Sequence, residues 1–258
     1  MLDATIGRFR RFGKRRLEAL GYQVTRTHHR YAQDGLVTVH NDHFRSDERF
    51  KSAYQRGIRA GDGVDPKIEW RIHVALWAAD HALRVPGDFV ECGVNAGFVS
   101  SAIMHRLDWN RTGRRFFLVD TWAGPPVAQF NGAELEGGRQ RTVQAAIDAG
   151  AYVTDLTRVR RNYAEWPSTV IVQGTVPEIL PSISAGQVAF LHLDMNCAYP
   201  EQAALEYFWA RLSPGAFVLF DDYVYRGYEE QTAAIDMLAK KKGFDVLSLP
   251  TGQGLIIK

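Results

Sequence analysis

The link "PTGQ" (250–253) constrains the fold of this 258-residue chain more than any other feature. It joins two apolar runs of strand length, "FDVLSL" (244–249) and "GLIIK" (254–258). Four residues cannot hold a crossover helix, so these runs must pair as an antiparallel hairpin. Upstream, strand-like runs at 88–93, 115–120, 169–174, 188–194 and 216–221 alternate with longer helical patterns. That alternation predicts βαβ units and a mostly parallel sheet. Helices are expected from about 65 to 83, with Asp65 as cap and Pro66 at the first helical position, then at 99–107, near Glu178, at 201–212 and at 229–242. In the last of these, Lys240, Lys241 and Lys242 suit the negative end of the helix dipole.

Five parallel strands followed by a C-terminal antiparallel hairpin make an α/β, seven-stranded, mostly parallel Rossmann-like sheet. This element order resembles the class I methyltransferase fold. The chain is read as a basic N-terminal arm and helical extension (1–64) followed by one domain (65–258). Within that domain, 125–168 is long for a strand-to-strand connection and holds two helix-like pieces, near 139–149 and 154–164, as a lid or substrate wall would.

Composition narrows the class. No apolar run is long enough to span a bilayer, and the N-terminus lacks the apolar core of a signal peptide. Two cysteines, Cys92 and Cys197, are too few for a disulfide framework, so the expectation is a soluble protein of the reducing cytoplasm. A net charge of +2 argues against a nucleic-acid protein. The charge gathers at the start, where Arg8, Arg10, Arg11, Lys14, Arg15 and Arg16 interleave with Ile6, Phe9, Leu17 and Leu20 at roughly helical spacing. This basic amphipathic arm is expected to pack on its own domain or on a partner subunit of a homo-oligomer. Contact with a membrane surface or an anionic glycolipid is the alternative.

The first strand of the domain runs into Glu91-x-Gly93-x-x-x-Gly97, with Asn95 between the glycines and a helix following. Glycines let the backbone turn tightly and approach a ligand, and the helix start presents free N–H groups. A dinucleotide fingerprint would read G-x-G-x-x-G. The spacing here is nearer the E-x-G-x-x-x-G of S-adenosylmethionine (SAM) enzymes. Asp120 ends the second strand, where a carboxylate can accept both hydroxyls of a ribose. Trp122 beyond it is a candidate wall of the adenosine pocket, and Gln173 ends the third strand, where adenine contacts fall in this fold.

Acids end the next two strands as well. "LHLDMNCAYPE" (191–201) leaves Asp194 at its tip, and "FVLFDDYVY" (217–225) leaves Asp221 and Asp222. Together with "GDFVECGVNAG" and "LVDTWAGPP", these stretches resemble the macrocin O-methyltransferase family (TylF/MycF/NovP-type), which methylates sugar hydroxyls on natural products. The resemblance covers about residues 65–258. It implies SAM as methyl donor, a glycosyl or polyol small-molecule acceptor, and a divalent metal, usually Mg2+, held by Asp194, Asp221 and Asp222. Elementary electrostatics points the same way, because carboxylates at adjacent tips repel unless a hard cation sits between them.

One departure from the family pattern concerns proton removal. Where the family reads D-G-D, with its second acid as base, this chain reads Asp194-Met195-Asn196. His192, Asp221 and Tyr225 are then the candidates to take the proton, beside a metal that acidifies the hydroxyl. Two alternatives stand next to the methyltransferase reading: a SAM-fold binding or scaffold protein with impaired chemistry, and a nicotinamide oxidoreductase.

Overall fold

The computed structural model describes Leu17, Ala19, Leu20 and residues 30–258. The expected basic helix therefore lies outside the described residues, apart from those three positions. The described residues fall into two units, one ending at Asp42 and one running from His43 to Lys258. In the first, β1 (Tyr31–Gln33) and β2 (Leu36–Thr38) pair as an antiparallel hairpin. Its Asp34-Gly35 turn has both φ angles positive, 50° and 71°, the geometry that two-residue hairpin turns require.

The second unit opens with α1 (Glu48–Ala60), capped by the Asp47 carboxylate on the Phe50 N–H at 2.8 Å, and α2 (Glu69–Ala82). The first of these helices falls within the 1–64 stretch expected as a basic arm and helical extension. Asp65 does not cap α2. It accepts the Tyr54 hydroxyl at 2.7 Å and the Lys67 N–H at 2.9 Å, forming a turn that delays the helix to Glu69.

Five parallel strands follow: β3 (Asp88–Cys92), β4 (Phe116–Asp120), β5 (Thr169–Gln173), β6 (Val188–Leu193) and β7 (Leu212–Phe220). The hairpin of β8 (Leu247–Ser248) and β9 (Gly254–Ile257) completes the sheet. The strand order is β5-β4-β3-β6-β7-β9-β8, with β9 antiparallel to both β7 and β8. The order reverses between β3 and β6, so the crevice at this switch point is where an α/β sheet takes its ligand.

Both faces of the sheet are covered, and this is why its central strands read as unbroken apolar runs. Phe89, Phe116, Phe190 and Leu219 pack on one face with α2 and with α3 (Phe98–Arg106). Val90, Phe117, Leu191 and Val218 pack on the other with α7 (Ala198–Phe208) and α8 (Glu229–Lys242). The 125–168 connection carries α4 (Gly132–Glu136), α5 (Arg139–Asp148) and α6 (Leu156–Asn162).

Boundaries shift where proline is involved. Helix α7 starts three residues before Glu201, since Pro200 is tolerated inside a first turn. Strand β7 starts at Leu212 rather than 216, with Pro214 inside the register shift opposite β6, where no ladder N–H is needed. Near Glu178 only a 3-10 turn, Leu180–Ser182, forms.

Candidate active site

The tips of β3 and β4 build one half of the cleft from backbone. Gly93 leaves β3 at φ 87°, and a Cβ there would overlap the Asp194 carbonyl oxygen, so glycine lets the β3 and β6 tips touch. Asp120 accepts the Val94 and Asn95 N–H groups on Oδ2 at 2.7 and 2.8 Å, and the Trp122 N–H on Oδ1 at 2.7 Å. Asn95 in turn ties the loop to the insertion, donating from Nδ2 to the Ala151 carbonyl and accepting the Val153 N–H. Gly93, Asn95 and Asp120 line a cavity whose far wall is Asp194 and Asn196, with Tyr152 of the insertion beside them.

Four residues expected at the cofactor do not reach this wall. The Glu91 side chain turns to β6 and accepts or shares a proton with His192 Nδ1 at 2.9 Å, both groups being buried. Gly97 is covered by the Tyr163 hydroxyl, which packs where a side chain would begin. Trp122 has φ 45°, which swings its indole into the core to donate to the Asn95 carbonyl at 3.1 Å. The Gln173 side chain is exposed and donates to the Thr121 carbonyl at 3.2 Å, and the wall past β5 is Gly174, Thr175 and Val176 instead.

The tips of β6 and β7 build the other half from charge. One ligand atom each from Asp194, Asp221 and Asp222 lies within 4.8 Å of the others. Burial and the neighbouring carboxylates of Asp221 and Asp222 push Asp194 well above the usual carboxylate range. Burial, then Asp221, lifts Asp222 to about 6. Asp221 goes the other way: burial opposes ionisation, but Arg71 and His192 hold its carboxyl below the usual range. Desolvation likewise disfavours the His192 cation, yet the Asp221 and Glu91 carboxylates flanking the ring raise it to about 10. Its Nε2 lies 3.9 Å from Asp221 Oδ1, an ion-pair separation too long for a hydrogen bond. Two flanking carboxylates favour the protonated imidazole, so His192 is a poor acceptor for a substrate proton.

Several groups at this site have no sequence motif. Arg71 of α2 is buried and donates from one nitrogen to Asp221 Oδ2 at 2.5 Å and Asp222 Oδ1 at 3.1 Å, while its guanidinium lies 4.4 Å from the Tyr225 ring centre. The available signal was its place on the stripe 71, 75, 78, 82, otherwise all alanine and all buried. Gln253, in the hairpin link, donates to Asp221 Oδ1 at 3.0 Å. Glu201 accepts the Met195 N–H at 3.0 Å and holds the turn after Asp194. Glu134 of α4 accepts the Ala198 N–H at 3.0 Å, so the insertion caps α7. Asn196 donates to Asp194 Oδ1 at 3.2 Å and accepts the Tyr228 hydroxyl at 2.7 Å.

The sheet order, the glycine loop at its switch point and the acids on adjacent tips define a class I methyltransferase fold. Comparison with known proteins narrows this. A family model described as macrocin-O-methyltransferase (TylF) matches residues 75–245, and the chain belongs to that family. It is similar to 8-demethyl-8-(2,3-dimethoxy-alpha-L-rhamnosyl)-tetracenomycin-C 4'-O-methyltransferase of Streptomyces olivaceus, with 29% identity over 147 residues. That match spans 54% of this chain and 54% of the relative, so the chain covers about half of that relative's length. Among solved structures, the O-methyltransferase NovP aligns with TM-score 0.61 at 20% identity, covering 73% of this chain and 79% of NovP. A calicheamicin methyltransferase aligns with TM-score 0.53 at 17% identity, covering 85% of this chain and 94% of that one. At these identities the structures speak for the fold alone. Family membership sets aside the nicotinamide oxidoreductase alternative. Among the described residues, no helix is long and apolar enough to cross a membrane.

Proposed function

We propose that the protein transfers a methyl group from SAM to a hydroxyl of a glycosyl or polyol small molecule, assisted by a divalent cation such as Mg2+. The observation that carries this reading is the convergence of Asp194, Asp221 and Asp222 beside a cavity walled by Gly93, Asn95 and Asp120. Asp120, Gly93 and Asn95 are the residues proposed to hold the donor, with the outer face of the Asp120 carboxylate toward the ribose. Gly97, Glu91, Trp122 and Gln173 are assigned to supporting this loop rather than to touching the donor.

The acid cluster fits a hard cation. Its donors are carboxylate oxygens, as Mg2+ prefers. Among the described residues, Asp194 Oδ2 and Asp222 Oδ2 accept no hydrogen bond, which leaves both free to ligate. Arg71 and Gln253 occupy both oxygens of Asp221, so Asp221 is the most constrained of the three. A bound cation would supply Lewis acidity toward an acceptor hydroxyl and a template for its neighbour. The chain's own residues align the reactants: Asp120 and the 93–95 loop fix the donor, and the strand tips fix the acids within reach of it. Of the three clustered acids Asp194 is the one that lines the cavity, and it is proposed as the protein-side proton acceptor once a bound cation favours its ionised form, since Asn196 cannot take a proton.

Support for a sugar acceptor comes from the family and from the Streptomyces olivaceus relative, whose name describes methylation on a rhamnosyl group. The test is methyl transfer from labelled SAM to a panel of free and aglycone-linked deoxysugars, with and without chelator. Asn196 also favours a second reading, a SAM-binding protein with impaired chemistry. A single-turnover assay at excess enzyme separates the two. The basic arm is proposed to mediate homo-oligomer packing, or contact with an anionic lipid or glycolipid surface, in a cytoplasmic protein.

A further inference from the structure

Asn196 stands where the family pattern places an acid, and its surroundings give it a different use. Its backbone sits at φ 57°, a left-handed conformation that asparagine tolerates better than most side chains. From there its amide reaches two ways. The Nδ2 group donates to Asp194 Oδ1 at 3.2 Å, and Oδ1 accepts the Tyr228 hydroxyl at 2.7 Å. Tyr228 is itself held from the insertion: the Arg139 guanidinium of α5 lies 3.8 Å from its ring centre, and Arg139 also donates to the neighbouring Gly227 carbonyl. Asn131, which caps α4, donates to Glu230 Oε2 at 3.1 Å and closes the same seam.

We propose that Arg139, Tyr228 and Asn196 form a positioning relay that fixes the Asp194 carboxylate, so that seating of the 125–168 insertion on the 227–230 segment sets the geometry of the acid cluster. The physical need is plain. Asp194 faces two other acids, and an unrestrained carboxylate there would rotate away from them. A hydrogen bond on Oδ1 pins the group and leaves Oδ2 without a hydrogen-bond partner among the described residues, open to a cation. An ionised aspartate at 196 has no proton to donate to Asp194, whereas an asparagine does. What reads in sequence as a missing base is thus, in space, an added donor. Tyr228 selects the amide orientation by occupying the oxygen side, which turns the nitrogen to Asp194.

The inference rests on the reading of the acid cluster as a divalent-ion site. Its test is therefore binding, measured on the full chain with Mn2+ as probe by electron paramagnetic resonance and with S-adenosylhomocysteine by calorimetry. Tyr228→Phe removes one oxygen and Asn196→Ala the amide. Each is expected to weaken Mn2+ by about tenfold, as outer-shell partners of metal ligands do. Arg139→Gln is expected to weaken Mn2+ less, because Tyr228 keeps its hydroxyl. The double variant Tyr228→Phe/Asn196→Ala should match Asn196→Ala alone, since residues acting in series do not add. S-adenosylhomocysteine affinity should stay at the wild-type value in Tyr228→Phe and Arg139→Gln, neither of which lines the cavity. Unchanged Mn2+ affinity in Tyr228→Phe, additive losses, or parallel loss of S-adenosylhomocysteine binding in Tyr228→Phe would each overturn the relay. A wild type that binds S-adenosylhomocysteine but no Mn2+ would overturn it too. A wild type that binds no S-adenosylhomocysteine would instead sink the methyltransferase reading.

Discussion

The two halves of the cleft hold aspartates by opposite means. At the β4 tip, Asp120 is fixed by three backbone N–H groups, all within 2.8 Å. At the β6 and β7 tips, Asp194, Asp221 and Asp222 are held by the side chains of Arg71, Asn196 and Gln253 against one another's repulsion. An acid ringed by amides is held in place without a ligand, and its loss leaves those donors unpaired. Crowded acids are in the reverse position: their apo arrangement is costly, and loss of one relieves the others. The first half is a preformed cradle, while the second is a cluster that a cation would complete.

This contrast predicts how each half breaks. The largest effect should come from the charged half. Asp194→Asn, Asp221→Asn and Asp222→Asn are each expected to cut turnover by about a thousandfold, the several kcal/mol that Lewis-acid assistance supplies, as checked by steady-state assay. Thermal stability of apo Asp194→Asn and Asp222→Asn should meanwhile hold or rise. Arg71→Met comes next. It strips the counter-ion from a buried acid pair and should destabilise the fold by about 3–5 kcal/mol in urea titration. If Arg71→Met unfolds no more easily than wild type, the acids are better solvated than their burial implies.

Asp120→Ala should weaken S-adenosylhomocysteine about 10–100-fold and lower stability, because three N–H groups lose their acceptor, each at about 1–3 kcal/mol before water and loop relaxation recover part of it. It is expected to leave Mn2+ affinity intact, so equal losses of both ligands would erase the distinction between the two halves. A smaller effect is the pH dependence. Asp222 is raised from the 3.8 of a free aspartate to about 6, so the folded chain keeps a proton that the unfolded chain has released. Its contribution to stability is complete below about pH 4 and lost as pH rises to 6. Asp194 has the same sign. The melting temperature of the apo protein should therefore fall across that window relative to Asp222→Asn, and saturating Mg2+ should restore it above pH 6. Deleting residues 1–20 should change S-adenosylhomocysteine affinity least of all.

The amide-built half was the less legible in sequence, although its motif is the better known. Glu91, Gly97 and Trp122 have the residue types and spacing of a cofactor loop, but the side-chain directions depended on backbone angles. A positive φ at Trp122 turned an expected pocket wall into core. The charged half was legible because strand ends are legible: an apolar run that stops in Asp puts the acid at a tip, and parallel neighbours put the tips together. Its counter-ion was not, since Arg71 meets Asp221 across 150 residues of chain and no local period reports such a contact. The same distinction holds for the fold. The four-residue link forced the β8–β9 hairpin, and α8 matches its expected bounds at 229–242, both being local consequences of composition. Element starts moved where a proline's preference was decided by a distant partner, as at Pro66 and Pro214.

The acids of β6 and β7 are proposed to hold a divalent cation beside the donor pocket. A crystal structure grown with S-adenosylhomocysteine and Mn2+, measured at the manganese edge, tests it most directly. The expected result is one anomalous peak about 2.2 Å from carboxylate oxygens of Asp194 and Asp222, with Asp221 completing the cluster and the cofactor sulfur facing it. Bound cofactor with no peak between these acids, or with manganese ligated only elsewhere on the molecule, would contradict it and return the three aspartates to the chemistry of turns.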